Sequence, residues 1–309
     1  MEKSSFPQPQ RVFVTGDLNI DSVVTGLALG GINRVAASPP TVGGSAYNAA
    51  VAFAATGLST LLYGKVGEDD NGTRILSALE RTRIHNLVSR DRARPTGTCT
   101  ILFFRGDDQF RTIYYPCFSA NDYDPEDVAA ALHNARLLPT DFVFASLHMY
   151  DQTGQDAHRC RQFLDRLRSS GAQVIIDIVP HMIYERIDIR SLLSIVGAPI
   201  FMLIGEYRTF LRLVRGQSGD VPDSPCVEEF SLIVNSFPAD CFDCRYGIGN
   251  ISEQTVFRRG AGQKPEIVSR AKTGYEALPD EQKRGFGDWL TAATLSTLLS
   301  PPVGMDQDR

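Results

Sequence analysis

The chain has 309 residues and a formal net charge of −5, and hydrophobic residues make up 43% of it. This composition is typical of a globular protein that buries a sizeable core, and an acidic balance without a basic run argues against a nucleic-acid partner. No apolar run reaches the roughly 18 residues that a membrane span needs.

The first ten residues, MEKSSFPQPQ, are polar and lack the apolar core of a secretion signal. We therefore predict a cytoplasmic protein whose six cysteines are reduced thiols. Cys241 and Cys244 have the spacing of a metal-ligand pair, but no second pair lies near them in the sequence. We interpret them as buried structural thiols rather than a zinc site.

Apolar runs typical of buried strands alternate with helical patterns through the first two thirds of the chain. The predicted strands are 11–17, 60–67, 141–147, 173–179 and 199–205, and the predicted helices are 45–57, 71–82, 157–171 and 206–214. This alternation predicts an α/β fold with a mostly parallel sheet covered by helices.

Two segments break the alternation. Residues 18–40 are extended and glycine-rich, and residues 97–116 alternate like a β-hairpin with its turn at 105–108. We expect these segments to pair as a small β-sheet, formed by about 17–41 and 96–118, that acts as a lid over the strand ends of one domain spanning 1–309.

The sequence RGFGDWLTAATL near the end of the chain places two glycines and an aspartate at the start of a helix. Glycines allow the amides of Gly285, Phe286 and Gly287 to point into one concavity, which the helix dipole makes favourable for an anion. Asp288 beside such a site suits a general base in phosphoryl transfer to a hydroxyl. The alternative is that Asp288 only caps the helix.

The stretch TVGGSAYNAAVAFAATG places another glycine pair, Gly43 and Gly44, before a helix. This pair would let the backbone approach a ligand, and Asn48 could donate to and accept from a polyol. The alternative is a tight turn before a closely packed alanine helix.

The stretch GDLNID places Asn19 and Asp21 on the same side of an extended chain. An amide and a carboxylate side by side suit the paired hydroxyls of a sugar. The alternative is the exposed polar face of a strand.

Taken together and in this order, these motifs resemble the ribokinase family of sugar and nucleoside kinases, also called the PfkB family. The resemblance includes KVGEDDNG after the first glycine motif and TGTCTILFFRGDDQFRTIYYPCFSAN as a lid hairpin, and it runs from about Val12 to Leu299. It implies a ribokinase-like three-layer α/β/α sandwich with a mostly parallel central sheet and a small β-sheet lid.

The resemblance also implies functional roles. Asp288 corresponds to the catalytic base, and Gly285, Phe286 and Gly287 correspond to the anion hole. The residues that would contact the acceptor are Asn19, Asp21, Gly43, Gly44 and Asn48, and those that would contact nucleotide phosphates are Arg245, Gly247 and Gly249. The implied reaction transfers the γ-phosphoryl group of ATP, with Mg²⁺, to a primary hydroxyl of a small sugar.

The sequence departs from the family on the nucleotide side. The family's Asn-x-x-Glu magnesium motif aligns with residues 205–208, where Glu206 is the candidate substitute as a metal ligand. Phe286 replaces a small residue of the anion hole, and an inserted loop carries Lys283 and Arg284. The signature helix is followed by fewer residues than the family uses to wall its adenine pocket.

These departures leave three alternatives to a sugar kinase. The first is a degenerate kinase that binds a sugar or nucleoside without catalysis, the second a nucleoside kinase, and the third a different enzyme on this fold. Tyr114, Tyr115 and Phe118 near the lid could stack on a base or line the apolar face of a sugar. The apolar run at 101–104 predicts a homodimer surface on the lid.

Overall fold

The structure is a computed structural model that describes residues 10–28, 32, 39–104, 111–114, 116, 118–146, 156–178, 200–215, 225–247, 251–278 and 285–299. None of the helices in these ranges is long and apolar enough to span a membrane.

A nine-stranded sheet forms the centre of the molecule. From one edge to the other its strands are β6 (His85–Asn86), β4 (Ser59–Tyr63), β1 (Arg11–Thr15), β10 (Phe142–Ser146), β11 (Gln173–Ile178), β12 (Ile200–Glu206), β13 (Ala239–Tyr246), β14 (Glu253–Arg259) and β15 (Pro265–Lys272). The pairs from β6 to β13 are parallel, and β14 and β15 are added antiparallel. The predicted mostly parallel sheet is therefore confirmed.

Helices cover both faces of this sheet. The described helices are α1 (Ser45–Ala55), α2 (Asp70–Leu79), α3 (Pro125–Ala135), α4 (Asp156–Ser169), α5 (Tyr207–Arg215), α6 (Val227–Ser236) and α7 (Phe286–Leu299). Side chains of α3 to α6 pack in one apolar core, and side chains of α1, α2 and α7 pack in another. Strand residues alternate between the two, as Phe13 and Val14 do. The predicted three-layer α/β/α sandwich is confirmed.

A second sheet stands beside the first. Its order is β3 (Thr41–Gly43), β2 (Asn19–Leu27), β8 (Gly97–Phe104) and β9 (Arg111–Tyr114). β8 and β9 form the predicted antiparallel hairpin, and β2 joins it by parallel pairing with β8. The predicted turn at 105–108 lies outside the described residues.

The predicted strand at 60–67 is wrong as a single element. It divides at Gly64 into β4 and β5 (Lys65–Gly67), and β5 pairs with β7 (Ser89–Asp91) away from the main sheet. A β-carbon at Gly64 would lie 2.8 Å from Leu18 Cδ1, so the glycine lets the chain pass close to this side chain.

The sequence patterns did not predict α3, α6 or the strands β6, β7 and β13 to β15, which the structure contains. The signal for α3 is present, because Asp124 forms a capping box with Asp127 and Pro125 occupies the first turn. Cys241 and Cys244 both lie on β13 but project into different cores, on opposite faces of the sheet. This geometry keeps the two thiols apart and supports the structural interpretation.

One buried carboxylate connects the amino ends of β1 and β10. Asp141 accepts hydrogen bonds from the backbone N–H groups of Arg11 at 3.0 Å and Leu138 at 2.7 Å, and from the guanidinium of Arg11 at 2.6 Å. Burial raises the pKa of Asp141, but the hydrogen bonds from Arg11 and Leu138 more than offset this effect. The pKa therefore lies below its ordinary value.

We predict that Asp141→Ala lowers the free energy of unfolding by about 3 kcal/mol at neutral pH, because it leaves two backbone amides without their acceptor and removes the carboxylate partner of the half-buried Arg11 guanidinium. A carboxylate with a depressed folded-state pKa stabilises above its unfolded pKa of about 3.9, so the difference between wild type and variant should shrink as the pH falls below this value. Urea unfolding at several pH values measures this.

The matched control is Glu266→Gln, which breaks the exposed Glu266–Arg258 ion pair. It should change the free energy of unfolding by less than about 1 kcal/mol. Equal effects of the two substitutions would show that Asp141 does not hold the strands together.

Candidate active site

The carboxyl ends of the parallel strands form one edge of the main sheet, and polar side chains gather there. β1 leads into Gly16 and Asp17, while Asp177 and Arg245 are the penultimate residues of β11 and β13. Glu206 ends β12 and is the register partner of Arg245. In open α/β sheets, ligands bind at this edge.

The first turn of α7 lies over this edge. Gly285 adopts a left-handed φ of +69°, and its carbonyl accepts from the amides of Asp288 at 3.0 Å and Trp289 at 3.2 Å. Asp288 is the third helical residue, so it does not occupy the N-cap position. The first amides of a helix, here those of Phe286 and Gly287, have no acceptor within it and favour an anion.

The glycine pair before α1, Gly43 and Gly44, lets the backbone pack closely against Asp17 and Asp21. A β-carbon at Gly44, which has a φ of +95°, would overlap the backbone carbonyl of Asp17. A β-carbon at Gly43 would overlap the carboxylate of Asp21. The backbone at Gly43 and Gly44 therefore approaches other groups closely, as predicted. Those groups are the carboxylate of Asp21 and the backbone of Asp17, which occupy the space beside the two glycines.

The two glycine motifs touch each other in the structure. A β-carbon at Gly285 would lie 3.2 Å from Asn48 Cγ, because α1 and α7 pack side by side at the same edge of the sheet. Asn48 therefore lies next to the start of α7, where the amides of Phe286 and Gly287 are.

Asn19 belongs to a buried polar network. Its Nδ2 donates to Asp17 Oδ2 at 2.8 Å, and its Oδ1 accepts from Asn121 Nδ2 at 2.8 Å. Asp17 also accepts from the hydroxyl of Ser45 at the start of α1. Asn19 is 1% exposed and Asp21 is 5% exposed. The alternative of an exposed polar strand face is therefore wrong.

The carboxyl group of Asp288 lies in a field of excess negative charge. Burial raises its pKa well above the ordinary value, and Asp177 and Asp17 raise it further, while Arg245 partly offsets these effects. A carboxyl group with a raised pKa holds a proton more strongly than a surface aspartate does, as a general base near neutral pH requires.

Arg245 joins the sheet to α7. Its Nη2 donates to Asp243 Oδ2 at 2.9 Å and to Thr291 Oγ1 at 2.6 Å, and the Thr291 hydroxyl donates to the carbonyl of Gly287 at 3.1 Å. The other oxygen of Asp243 accepts from Gln254 Nε2 at 2.9 Å. Arg245 is 6% exposed. Because every partner sits in the interior, this network fixes the first turns of α7 against β13.

The other predicted nucleotide-side residues are only partly within the described chain. Gly247 has a φ of +84° in the turn that follows β13. Gly249, Lys283 and Arg284 lie outside the described residues. Within the described ranges, no group of three or more His, Cys, Asp or Glu side chains is arranged to hold a metal ion.

The sequence reading missed three residues of this site, Asp17, Asp177 and Asn121. Asp17 had a signal, because it alternates with Asn19 and Asp21 in the GDLNID stretch. Asp177 had a signal, because it is the only charged residue in the apolar strand QVIIDI. Asn121 had no recognisable signal, since it reaches Asn19 from a loop 102 residues away.

We predict that Asp177→Asn lowers the pKa of Asp288 toward its ordinary value, because it removes a negative charge that disfavours a second one nearby. Carbon-13 NMR titration of the aspartate carboxyl groups measures the pKa. Asp240→Asn, which changes an exposed residue of β13, should leave it unchanged. The same pKa of Asp288 in wild type and Asp177→Asn would show that the two carboxyl groups do not interact.

Several solved structures share this architecture. Ribokinase from Giardia lamblia is 14% identical with a TM-score of 0.68, over 94% of this chain and 86% of that chain. Ribokinase from Arabidopsis thaliana, complexed with ribose and ATP, is 19% identical with a TM-score of 0.62 over the same shares. Adenosine kinase from Sinorhizobium meliloti is 16% identical with a TM-score of 0.64, over 94% of this chain and 88% of that chain. At these identities the likeness shows the fold.

No curated protein matches the sequence. The model of the pfkB family of carbohydrate kinases matches residues 9–180, from β1 through the second sheet to the end of β11. This match covers more than half of the chain and includes Asp17, Asn19, Asn48 and Asp177. The chain therefore belongs to the pfkB family of carbohydrate kinases.

Proposed function

We propose that this protein is an ATP-dependent phosphotransferase that phosphorylates a hydroxyl of a small sugar or sugar derivative. The observation that carries the proposal is the position of Asp288. Asp288 lies in the first turn of α7 directly after Phe286 and Gly287, and the pKa of its carboxyl group is raised. A base next to an anion site is the arrangement that phosphoryl transfer to an alcohol needs.

In the proposed reaction the acceptor oxygen forms a bond to the γ-phosphorus of ATP. The bond from this phosphorus to the β–γ bridging oxygen breaks, and ADP leaves with that oxygen. The hydroxyl proton passes to Asp288. The amides at the start of α7 stabilise the negative charge on the transferring group because they point at it before the reaction begins.

The acceptor would bind between α1 and the second sheet. Asn19, Asp21 and Asn48 provide amide and carboxylate groups at this place, close to the start of α7. Such groups match the hydroxyls of a polyol, since each hydroxyl can donate and accept. We propose that the second sheet acts as a lid over this space and that its outer face forms a homodimer, which sedimentation at micromolar concentration tests.

The nucleotide phosphates would bind at the start of α7. Two observations fit an anion there. Gly287 leaves a space that a β-carbon would fill 2.9 Å from Arg245 Nη1, and Arg245 Nε is buried with no hydrogen-bond partner among the described residues. A positive charge and free amides together suit a phosphate.

The family relationship implies Mg²⁺, which would neutralise negative charge on the nucleotide phosphates. Magnesium bound with a nucleotide needs only one or two protein carboxylates, and Glu206 at the end of β12 lies at the right edge of the sheet for one. We propose Glu206 as this ligand.

A second candidate is a kinase-like protein that binds a sugar or nucleoside without catalysis. One observation favours this candidate. It concerns residues 205–208, which align with the magnesium motif of the family. Tyr207 in this stretch is fully buried, and its hydroxyl donates to Glu229 within the core. Residues 205–208 therefore contribute to packing of the core as well as to the edge of the sheet where a ligand would bind.

We predict that the wild-type protein releases ADP from Mg·ATP in the presence of one class of acceptor, and that Asp288→Asn lowers the rate at least about 100-fold because the base is lost. A coupled ADP assay over a panel of sugars, phosphosugars, amino sugars and nucleosides measures this. ADP release that occurs only in the presence of a nucleoside would show that the protein is a nucleoside kinase. No ADP release with any acceptor, in a protein that some polyol still stabilises, would favour the second candidate.

We also predict opposite effects of Asp288→Asn on rate and stability. Asp288 binds its proton more strongly folded than unfolded, so folding stability falls as the pH rises from the ordinary pKa through the raised one. Removing the charge should therefore raise the melting temperature at neutral pH. In the wild type, kcat should fall as the pH falls through the raised pKa. A variant that melts lower than the wild type would show instead that the Asp288 carboxylate stabilises the folded protein.

A further inference from the structure

A chain of buried side-chain amides joins the loop after β9 to the residues that follow β1. Asn121 Oδ1 accepts from the backbone N–H of Leu18 at 2.9 Å, and Asn121 Nδ2 donates to Asn19 Oδ1 at 2.8 Å. Asn19 Nδ2 then donates to Asp17 Oδ2 at 2.8 Å, and the hydroxyl of Ser45 donates to the other oxygen of Asp17. Both asparagines are buried, so these hydrogen bonds form in the interior.

The two ends of this chain of hydrogen bonds determine its direction. The backbone N–H of Leu18 can only donate, so Asn121 turns Oδ1 toward it and Nδ2 toward Asn19. An ionised carboxylate can only accept, so Asp17 requires Nδ2 of Asn19 on its side. Both ends therefore demand the same orientation of the Asn19 amide, which rotation about its terminal bond would otherwise leave free to reverse.

The base of the second sheet leaves room for the contact between the two amides. Gly97 is the first residue of β8 and the register partner of Asn19, and a β-carbon there would overlap both Asn19 Oδ1 and Asn121 Nδ2. The backbone N–H of Ala120 donates to the carbonyl of Pro95 at 2.7 Å, which closes the base of the β8–β9 hairpin. Asn121 therefore lies at the place where this hairpin meets Asn19.

We propose that Asn121 is a positioning residue for acceptor binding, because it fixes which side of the Asn19 amide carries the oxygen and which side carries the N–H groups. Asn121 acts through Asn19, since its own two Nδ2 N–H groups donate to Asn19 and to the carbonyl of Leu18. Among the described residues, Asp17 is the single acceptor for Asn19 Nδ2, so one N–H group of Asn19 is left for a ligand. The inference rests on the proposed function, in which this N–H group donates to a hydroxyl oxygen of the acceptor.

A charge-conserving exchange of two residues tests the orientation without any ligand. Asn121→Asp places a carboxylate where Asn19 needs a donor, so the Asn19 amide lies between two carboxylates and can donate to only one of them. We expect the melting temperature to fall by several degrees. Adding Asp17→Asn lets the Asn19 amide reverse, with Nδ2 toward position 121 and Oδ1 toward position 17. We therefore expect the double variant to regain most of the lost melting temperature.

Asn86→Asp is the matched control for the single substitution. Oδ1 of Asn86 also accepts from a backbone N–H, that of Val88 at 2.8 Å, but the side chain of Asn86 is exposed. A carboxylate accepts the same hydrogen bond, so the melting temperature should change by less than about 2 °C. If Asn121→Asp melts like this control, or if Asp17→Asn does not rescue it, the proposed orientation is wrong.

The second measurement is the affinity for D-ribose, D-fructose 6-phosphate and adenosine, determined by calorimetry without nucleotide. The double variant is compared with Asp17→Asn alone, which lacks the same carboxylate but keeps Asn121 and therefore the original orientation of Asn19. We expect wild type to bind at least one of the three compounds. The double variant should bind it at least about tenfold more weakly than Asp17→Asn does, the effect of one lost hydrogen bond.

Two results of the binding measurement would overturn the proposal. Equal affinities of the double variant and Asp17→Asn would show that Asn121 only holds the hairpin against the main sheet. A wild type that binds none of the three compounds would remove the role in acceptor binding.

The ADP assay separates failure of this inference from failure of the proposed function. ADP release by wild type, together with equal affinities of the double variant and Asp17→Asn, would leave the phosphotransferase function and overturn the role of Asn121. Weaker binding by the double variant, in a protein that releases no ADP with any acceptor, would support the role of Asn121 and contradict the phosphotransferase function.

Discussion

The buried ion pair between Arg245 and Asp243 holds the first turns of α7 over the carboxyl edge of the sheet. The position of the amides at Phe286 and Gly287 depends on this pair, because Arg245 reaches the helix through Thr291. Removing one partner of such a pair leaves a buried charge and costs about 3–5 kcal/mol. The interaction is thus a structural connection between β13 and the start of α7.

The same region carries more negative than positive charge. Asp17, Asp177 and Asp288 approach one another where the strands end, and Arg245 shares its charge with Asp243 as well. Like charges at close range are unfavourable, so the folded protein tolerates a strain that a neutral core would not have. The benefit is a carboxyl group that can accept a proton near neutral pH, which explains why stability and activity should respond oppositely to its removal.

Glycines allow these charged groups to come together. Gly43 and Gly44 leave room for the carboxylate of Asp21 and the backbone of Asp17, and Gly285 leaves room for Asn48. Each of these contacts joins segments that are distant in the chain. A β-carbon at Gly43 or Gly44 would overlap the neighbouring segment, and one at Gly285 would press on the side chain of Asn48. The glycines therefore allow other residues to come close.

The sequence by itself determined the strand–helix alternation, the β8–β9 hairpin and the order of the glycine motifs, because these follow from hydrophobic periodicity and local backbone preference. It did not reveal α3, although Asp124 and Pro125 signal its start, or the antiparallel strands β14 and β15. Only the tertiary structure decided that Asp177, Arg245 and Asp288 share one site. They come from β11, β13 and α7, and parallel strands bring their carboxyl ends to one edge regardless of their separation along the chain.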